Sequence, residues 1–343
     1  MTKTRLACCL LATIFAVACS HAHADDAATL YEAAKKEGQV VWYTSLIVNQ
    51  AVRPLVAAFN KKYPGIEVKY ARGDSGPNAI KVINEARAGK VEGDVFDGIA
   101  TTPPLLKAGL VEPFASSDAN KYPAALRDPD GRWNALVLYF LTPGINTQLV
   151  GKDDIKTAQD LLDPKWKGKI AWGNEPSSGA PAYIGAVLQA MGEDKGMAFL
   201  HALAKQSIIN VEATNRAILD QVILGQYPIA LSIFNHHAEI SAKKGAPVAW
   251  LKVEPIPAPF HSIGLVKNAP HPNAARLLID FLLSEEGQRA FAAVDYLPAM
   301  PSVPARTAEL KPEGGSFRAT FLSPALMSAN IDRWVKLKKE LFE

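Results

Sequence analysis

The sequence predicts an α/β protein built from two similar units. Three features of the 343-residue chain support this prediction. Short β-branched or aromatic runs alternate with helical segments, this alternation occurs twice, and two apolar runs are suited to cross between the units. The length also suits about two domains.

The first unit has a βαβαβ order. Residues 39–43 form a β-branched and aromatic run that predicts a strand, and the helical segment after it stops at the Pro-Gly pair 64–65. Residues 66–70 alternate apolar and polar side chains as a strand does. A helix is predicted over 77–88, and a further strand begins at Asp94. This order favours a mainly parallel sheet with helices on both faces.

The second unit repeats the pattern. Strands are predicted over 169–172 and 229–234, and helices over 180–191 and 215–224. The helical segments are each followed by a glycine, which is a common helix stop.

Two further apolar runs lie between the units. Residues 135–141 and 250–253 are apolar enough to be strands that cross from one unit to the other. Three prolines then alternate over residues 255–259, which predicts a stiff, irregular segment.

The N-terminus predicts a signal peptide over residues 1–24. Lys3 and Arg5 provide a basic start, and the apolar run 6–18 is too short to span a bilayer. Residues 22–24 read Ala-His-Ala, a small-x-small cleavage site, so Asp25 is expected as the mature N-terminus. This predicts export to the periplasm.

A lipoprotein is the less favoured alternative. Residues 16–19 loosely resemble a lipoprotein box, which would leave Cys19 acylated, but Ala stands three residues before it where Leu is favoured. All three cysteines precede Asp25, so the mature chain would have no disulfide, no thiol nucleophile and no cysteine metal site. Without Lys3 and Arg5, 35 basic residues face 34 acidic ones, so the charge does not indicate a nucleic-acid partner.

Small polar residues and glycines gather where predicted strands lead into helices. Helix caps explain any one of these junctions, because a capping side chain contributes about 1 kcal/mol. Ligands of open α/β sheets bind beyond the carboxyl ends of the strands, and helix N-termini favour anions. We therefore predict a cleft for a small anionic or oxygen-rich ligand. Its candidate residues are Thr44, Ser45, Ser75, Gly76, Ser177, Ser178, Gly179, Thr214, Asn235 and His236.

Metal binding and catalysis are the alternatives. His236 and His237 could hold a metal, although imidazoles suit zinc, copper or nickel better than ferric iron. Residues 73–77 read Gly-Asp-Ser-Gly-Pro and look like a shortened serine-protease motif, which makes a hydrolase using Ser75 a remote alternative. The motif lacks one glycine and precedes a helix, so we predict that the protein is not an enzyme. We also predict that it needs no cofactor, and a metal ion, if bound, would be its cargo.

Several runs spread over the mature chain are typical of one bacterial protein family. They include Val-Trp-Tyr-Thr-Ser at 41–45, Asp-Leu-Leu-Asp-Pro-Lys-Trp-Lys-Gly-Lys at 160–169, Ala-Pro-His-Pro-Asn-Ala-Ala at 269–275 and Asp-Phe-Leu-Leu-Ser-Glu-Glu-Gly-Gln at 280–288. In these runs the chain resembles the bacterial extracellular solute-binding proteins of family 1, in particular the iron(III)-type branch.

The resemblance implies a type II periplasmic-binding-protein fold, with two lobes joined by a hinge and closing on a ligand. We expect one lobe from residues 25–138 and 262–310, and the other from 139–261 with the C-terminal helices in 311–343. The implied partner is the inner-membrane permease of an ABC importer, and the protein is expected to be a monomer.

The resemblance leaves the ligand open. In ferric binders of this branch, a Tyr-Tyr pair follows the strand that here ends at Phe234, whereas this chain has His236 and His237. Relatives in the wider family carry phosphonates, phosphorylated compounds, thiamine or carboxylates. Ferric iron or another metal ion therefore remains the alternative to an organic anion.

Overall fold

The computed structural model describes residues 27–114 and 116–343. The predicted signal peptide, both cleavage alternatives and Cys19 lie outside the described residues. Within the described ranges, no helix has the length and apolar character that a membrane crossing requires.

The first part of the chain supplies five strands and four helices to one lobe. In chain order they are α1 (described over 27–37), β1 (Gln39–Thr44), α2 (Arg53–Lys62), β2 (Glu67–Arg72), α3 (Ser75–Arg87), β3 (Val95–Gly98), α4 (Thr102–Lys107), β4 (Val111–Glu112) and β5 (Asn134–Leu138). A π-helical turn, Val48–Val52, leads into α2.

The middle of the chain forms the second lobe. Its elements are β6 (Leu141–Asn146), β7 (Ile170–Gly173), α5 (Ala180–Met191), α6 (Glu193–Ala204), β8 (Ile209–Val211), α7 (Asn215–Ile223), β9 (Ile229–Phe234), α8 (Asn235–Lys243) and β10 (Val248–Trp250). The remaining elements are β11 (Ile256–Ala258), β12 (Phe260–Val266), α9 (Pro272–Leu283), α10 (Glu285–Ala293), β13 (Leu297–Pro298), α11 (Pro312–Gly315), β14 (Ala319–Phe321) and α12 (Pro324–Phe342).

Two main sheets organise the fold. The first has the strand order β13-β5-β12-β3-β1-β2, with β4 also pairing with β12, and the second has the order β10-β6-β9-β7-β8. The third is a two-stranded parallel pair of β11 and β14. The predicted α/β class with two lobes is confirmed.

The sheets are mixed, whereas the sequence pattern predicted mainly parallel ones. In the first sheet, β1 pairs in parallel with β2 and β3, but β12 runs antiparallel to β3 and β5. In the second, β7 pairs in parallel with β8 and β9, but β6 runs antiparallel to β9. The reason is that strands arriving from the other lobe enter each sheet in the opposite direction.

The crossing segments also differ from prediction. The run 135–141 is not one strand, because it divides into β5 and β6 around Tyr139 and Phe140. The predicted strand 250–253 ends at Trp250, whose partner in β6 is Gly144. Leu251 still donates its N–H to the carbonyl of Pro143 at 2.8 Å, but Pro143 has no N–H with which to continue the ladder. The proline-rich segment, predicted to be irregular, contains the short strand β11. This strand pairs with β14 alone, so it tolerates proline as an edge strand does.

Each lobe has its own apolar core. Trp42, Phe59 and Phe281 are fully buried in the first, where Phe59 and Phe281 meet edge to face at 5.5 Å. In the second, Trp334 of α12 lies against Gly185 of α5, where any Cβ would approach the indole ring to 2.7 Å. The C-terminal helix therefore completes the second core.

The segments that cross between the lobes contact each other directly. Tyr139 follows β5 and donates its N–H to the carbonyl of Pro259 at 3.1 Å, just before β12. Next to it, the carbonyl of Phe140 accepts the N–H of Asn235 at 3.1 Å. The first bond joins the two crossing segments, and the second joins the β5–β6 crossing to the start of α8 in the second lobe.

Candidate functional site

A cleft of about 850 Å³ lies between the lobes, at the carboxyl ends of strands from both sheets. Its lining includes seven of the ten residues predicted from the strand-to-helix junctions, together with His237. These are Ser45, Ser75, Gly76, Ser177, Ser178, Thr214 and His236. A smaller cavity of about 250 Å³ lies behind His236 and shares His236, Ile240, Asp295 and Tyr296 with the cleft.

The first-lobe wall contains a connected set of polar side chains. Ser75, the first residue of α3, donates its hydroxyl to Ser45 Oγ at 3.2 Å. Ser45 in turn donates its N–H to Asp97 Oδ1 at 3.1 Å and its hydroxyl to the same oxygen at 3.4 Å. The chain of hydrogen bonds thus runs from the cleft to a carboxylate behind it.

Asp97 is sealed inside this wall. Its side chain has no exposed surface, and Oδ2 has no hydrogen-bond partner within the described chain. Burial raises the pKa of Asp97 to about 6, because a charged carboxylate loses its hydration there. His261 lies beside it, with Nδ1 3.5 Å from Asp97 Oδ1 and Nε2 3.5 Å from Ser45 Oγ.

The second-lobe wall consists of three strand-to-helix junctions. Ser177 and Ser178 precede α5, Thr214 caps α7, and His236 lies in the first turn of α8. Thr214 Oγ1 accepts the N–H of Ala217 at 3.3 Å, as a capping side chain does. Thr214 therefore both caps α7 and lines the cleft.

Carboxylates and arginines also line the cleft. Glu175 and Glu212 lie on the second wall, and Arg72 and Arg216 lie in the same cavity. Sequence reasoning missed these four because it searched the junctions for small polar residues. The available signal was position, since Glu175 and Glu212 follow β7 and β8 within two residues.

The histidines of the cleft are held neutral by burial. Burial lowers the pKa of His261 to about 3, that of His237 to about 4, and that of His236 well below its ordinary value, where the neighbouring His237 adds to the effect. A neutral imidazole can both donate and accept a hydrogen bond. The rings of His236 and His237 lie 4.3 Å apart.

Three predicted residues lie beside the cleft and do not line it. Thr44 is fully buried, and its Oγ1 accepts the N–H of Leu46 at 3.1 Å. Gly179 packs against backbone, where a Cβ would collide with the carbonyl of Gly173. Asn235 is also fully buried and starts α8 instead of preceding it; its amide donates to the carbonyl of Leu310 at 2.9 Å. All three support the wall from behind.

The donor set for a metal is small. Across residues 27–114 and 116–343, no group of three or more His, Cys, Asp or Glu side chains is placed to hold a metal ion. His236 and His237 remain a predicted pair of ligands.

Two α/β lobes with a polar cleft between them define a binding protein that encloses its ligand between lobes. A model of the family described as bacterial extracellular solute-binding protein matches residues 54–315. The chain belongs to this family, which confirms the resemblance seen in the sequence.

Individual relatives differ in the ligands that their names give. The chain is similar to a candidate 2-aminoethylphosphonate-binding periplasmic protein of Salmonella typhimurium, with 26% identity over an alignment of 360 positions that covers 98% of this chain and 99% of the relative. Iron uptake protein A2 of Synechocystis is 27% identical over 221 residues, covering 58% of this chain and 62% of that protein.

Solved structures support the two-lobe fold. A Trichodesmium protein in complex with iron and citrate has a TM-score of 0.75 and 22% identity, covering 89% of this chain and 99% of the other. This similarity shows the fold and leaves the ligand open.

Proposed function

We propose that this protein is the periplasmic receptor of an ABC importer and that it binds a small anionic or oxygen-rich solute between its lobes. The observation that carries the proposal is the cleft itself, in which hydroxyl groups and helix N-termini from both lobes face one cavity of about 850 Å³. Lobe closure around the solute would create the form that an inner-membrane permease recognises.

The proposed ligand contacts follow from the position of each group. Ser45, Ser75 and the N–H groups that start α3 would hold oxygens from the first lobe, with Gly76 leaving room for close approach. Ser177, Ser178 and Thr214 would do so from the second lobe, and neutral His236 would add a donor or an acceptor. Thr44, Gly179 and Asn235 would position these groups.

The lobe boundaries are part of the proposal. We infer that residues 25–138 and 262–310 move as one body against 139–261 and 311–343. The bonds of Tyr139 and Phe140 at the base of the cleft support a hinge there.

Metal cargo is the second candidate function. Iron is named for the Synechocystis relative and for the Trichodesmium structure. His236 and His237 lie at the cleft with an Nδ1 atom each that has no hydrogen bond in the described chain. Two imidazoles alone are a poor match for ferric iron, which prefers anionic oxygen, so we rank this candidate below the organic anion.

We also infer that the protein is not a hydrolase. Ser75 Oγ donates to Ser45, and the histidine in this wall contacts Ser45 instead of Ser75. With a pKa of about 3, His261 would be a weak general base near neutral pH.

A thermal-shift screen of the protein beginning at Asp25 tests the proposed function. The panel contains phosphonates, phosphorylated sugars, small carboxylates and ferric and divalent metals. A ligand at a hundredfold excess over its Kd should add about 2.7 kcal/mol to the free energy of unfolding.

Isothermal titration would then measure the affinity of each compound that stabilises the protein. Stabilisation by an organic anion that persists with chelator supports the proposal. Stabilisation by metal alone, lost with chelator and in His236→Ala, would replace it by the metal candidate. If no compound in the panel stabilises the protein, both the organic-anion and the metal candidates are contradicted.

A further inference from the structure

Two carboxylates on the second-lobe wall have no cationic partner among the residues that the structure describes. The parallel pairing of Gly173 with Val211 brings the ends of β7 and β8 together, so Asn174 lies beside Glu212 and donates its amide to Glu212 Oε1. Ser177 donates its hydroxyl to Glu175 Oε1 at 3.0 Å. Within the described chain, these neutral donors are the only hydrogen-bond or ion-pair partners of the Glu175 and Glu212 carboxylates.

The arginines of the cleft do not compensate this charge. Arg72 forms an ion pair with Asp74 at 3.1 Å, and Arg216 forms one with Asp220 at 2.5 Å. Arg216 also donates to Ser241 Oγ at 3.1 Å. Both guanidinium groups therefore already have carboxylate partners, and the second wall has an excess of negative charge.

The floor of the cleft is neutral and aromatic. Tyr139 is 8% exposed, and its ring lies 5.0 Å from the ring of Phe234 and 5.7 Å from that of His236. His236 is only 6% exposed, yet its Nδ1 has no hydrogen bond within the described chain, and burial keeps the ring uncharged. A buried polar ring without a partner at the floor of an open cleft indicates a ligand there, and aromatic faces attract cations.

We propose that the solute carries a positively charged amino group in addition to its oxyanion, and that Glu175 and Glu212 bind this ammonium beside the aromatic floor. The oxyanion would lie toward Ser45, Ser75 and the start of α3. The ligand class is thus a small zwitterion, an amino-substituted phosphonate, phosphate ester or carboxylate. This inference rests on the proposed function and specifies which anions the cleft accepts.

Pairs of compounds that differ only in the amino group measure its contribution to the affinity. Titration calorimetry would compare 2-aminoethylphosphonate with ethylphosphonate, phosphoethanolamine with ethyl phosphate, and 4-aminobutanoate with butanoate. At least one amine-bearing member should bind about 10- to 100-fold more tightly than its amine-free partner, the range expected for a hydrogen-bonded charge pair.

Charge-neutral variants isolate the carboxylates. In Glu175→Gln, Glu212→Gln and the double variant, affinity for the amine-bearing compound should fall by about tenfold or more. Affinity for the amine-free partner should stay equal or rise, because a like charge has been removed. Glu340→Gln, on the exposed side of α12, is the matched control and should change neither affinity.

The outcomes separate this inference from the proposed function. If the screen finds an anion but both members of its pair bind equally, or the glutamine variants weaken both members alike, the ammonium site is wrong and the anion receptor stands. If neither the pairs nor the wider panel bind, the anion-binding function itself fails. Thermal midpoints of the variants within a few degrees of the parent would show that the losses are not due to unfolding.

Discussion

The two walls of the cleft differ in the burial and the hydrogen bonding of their carboxylates. On the first wall, Asp97 is sealed from solvent behind Ser45 and receives a chain of hydrogen bonds from the cleft. On the second wall, Glu175 and Glu212 are exposed and meet only neutral donors.

The difference indicates separate roles for the two walls. The first wall has its hydroxyl groups positioned before any ligand arrives, since each is tied to a neighbour. On the second wall the negative charge of Glu175 and Glu212 is not compensated, so a cationic partner would have to come from a ligand. A preorganised wall and a wall that requires a ligand suit a protein that closes on its solute.

The largest expected effect comes from breaking the first wall at Gly98. Its backbone has φ +143°, and a Cβ there would collide with Thr101 Oγ1 and lie 2.6 Å from Ser75 Oγ. Gly98→Ala should therefore lower the free energy of unfolding by about 3 kcal/mol, measured by urea denaturation.

The control for this change is Gly76→Ala. A Cβ at Gly76 has no heavy atom within 4 Å, so stability should stay within about 0.5 kcal/mol of the parent. Equal losses in the two variants would contradict the tight packing of the first wall.

The next effect is the pH dependence that Asp97 imposes. Its pKa is raised from 3.8 to about 6 in the folded protein, so between these values the unfolded chain releases the proton first. The stability that Asp97 contributes is complete below about pH 4 and is lost as the pH rises through about 6, a total of about 3 kcal/mol.

Asp97→Asn removes this titration. Urea titrations at pH 4 and pH 7 would give the free energy of unfolding of the parent and of the variant. The difference, parent minus variant, should be about 3 kcal/mol smaller at pH 7 than at pH 4. His261 titrates in the opposite sense, because its lowered pKa costs stability as the pH falls below 6.5, but it is present in both proteins. A difference that does not change with pH would show that Asp97 is not buried as described.

A smaller effect is expected on the second wall at Thr214. Removing its hydroxyl in Thr214→Ala leaves the N–H of Ala217 without its cap and should cost about 1 kcal/mol of stability. Thr214→Ser keeps the oxygen and should restore most of this loss in the same denaturation measurement. If serine does no better than alanine, the capping bond is not what stabilises this junction.

The smallest change in stability is expected for Ser75→Ala. The hydroxyl is half-buried at the start of α3, so its loss should alter the free energy of unfolding by less than about 0.5 kcal/mol. Affinity for the solute found in the screen should nevertheless fall about fivefold, as one hydrogen bond is lost. Ser328→Ala, on the exposed side of α12, is the control. Unchanged affinity in Ser75→Ala would remove Ser75 from the proposed contacts.

The sequence predicted the fold class, and seven of its ten candidate residues line the cleft, because both predictions depend on local pattern. Helix α5 and strand β9 have the predicted bounds, and their apolar periodicity is regular. The junction rule placed Ser75 and Thr214 next to helix starts, although α3 begins at Ser75 itself, two residues before the predicted start. It could not distinguish a residue that faces the cleft from one behind it, such as Thr44.

The remainder depends on long-range contacts that no local pattern contains. Asp97 meets His261 only because β12 returns from the second lobe to pair with β3. The excess charge of Glu175 and Glu212 also depends on which partners Arg72 and Arg216 take, and those ion pairs are decided by the folded geometry.

The path of the chain between the sheets has a consequence for synthesis. Strand β12 lies between β3 and β5 in the first sheet, yet it is made only after every strand of the second sheet. The sheet that begins first along the chain is thus completed late, and any continuous fragment that contains all of it also contains the whole second sheet. The usual order, in which the N-terminal domain folds first during translation, therefore does not apply to the first lobe, whose sheet is completed only after the strands of the second have been made.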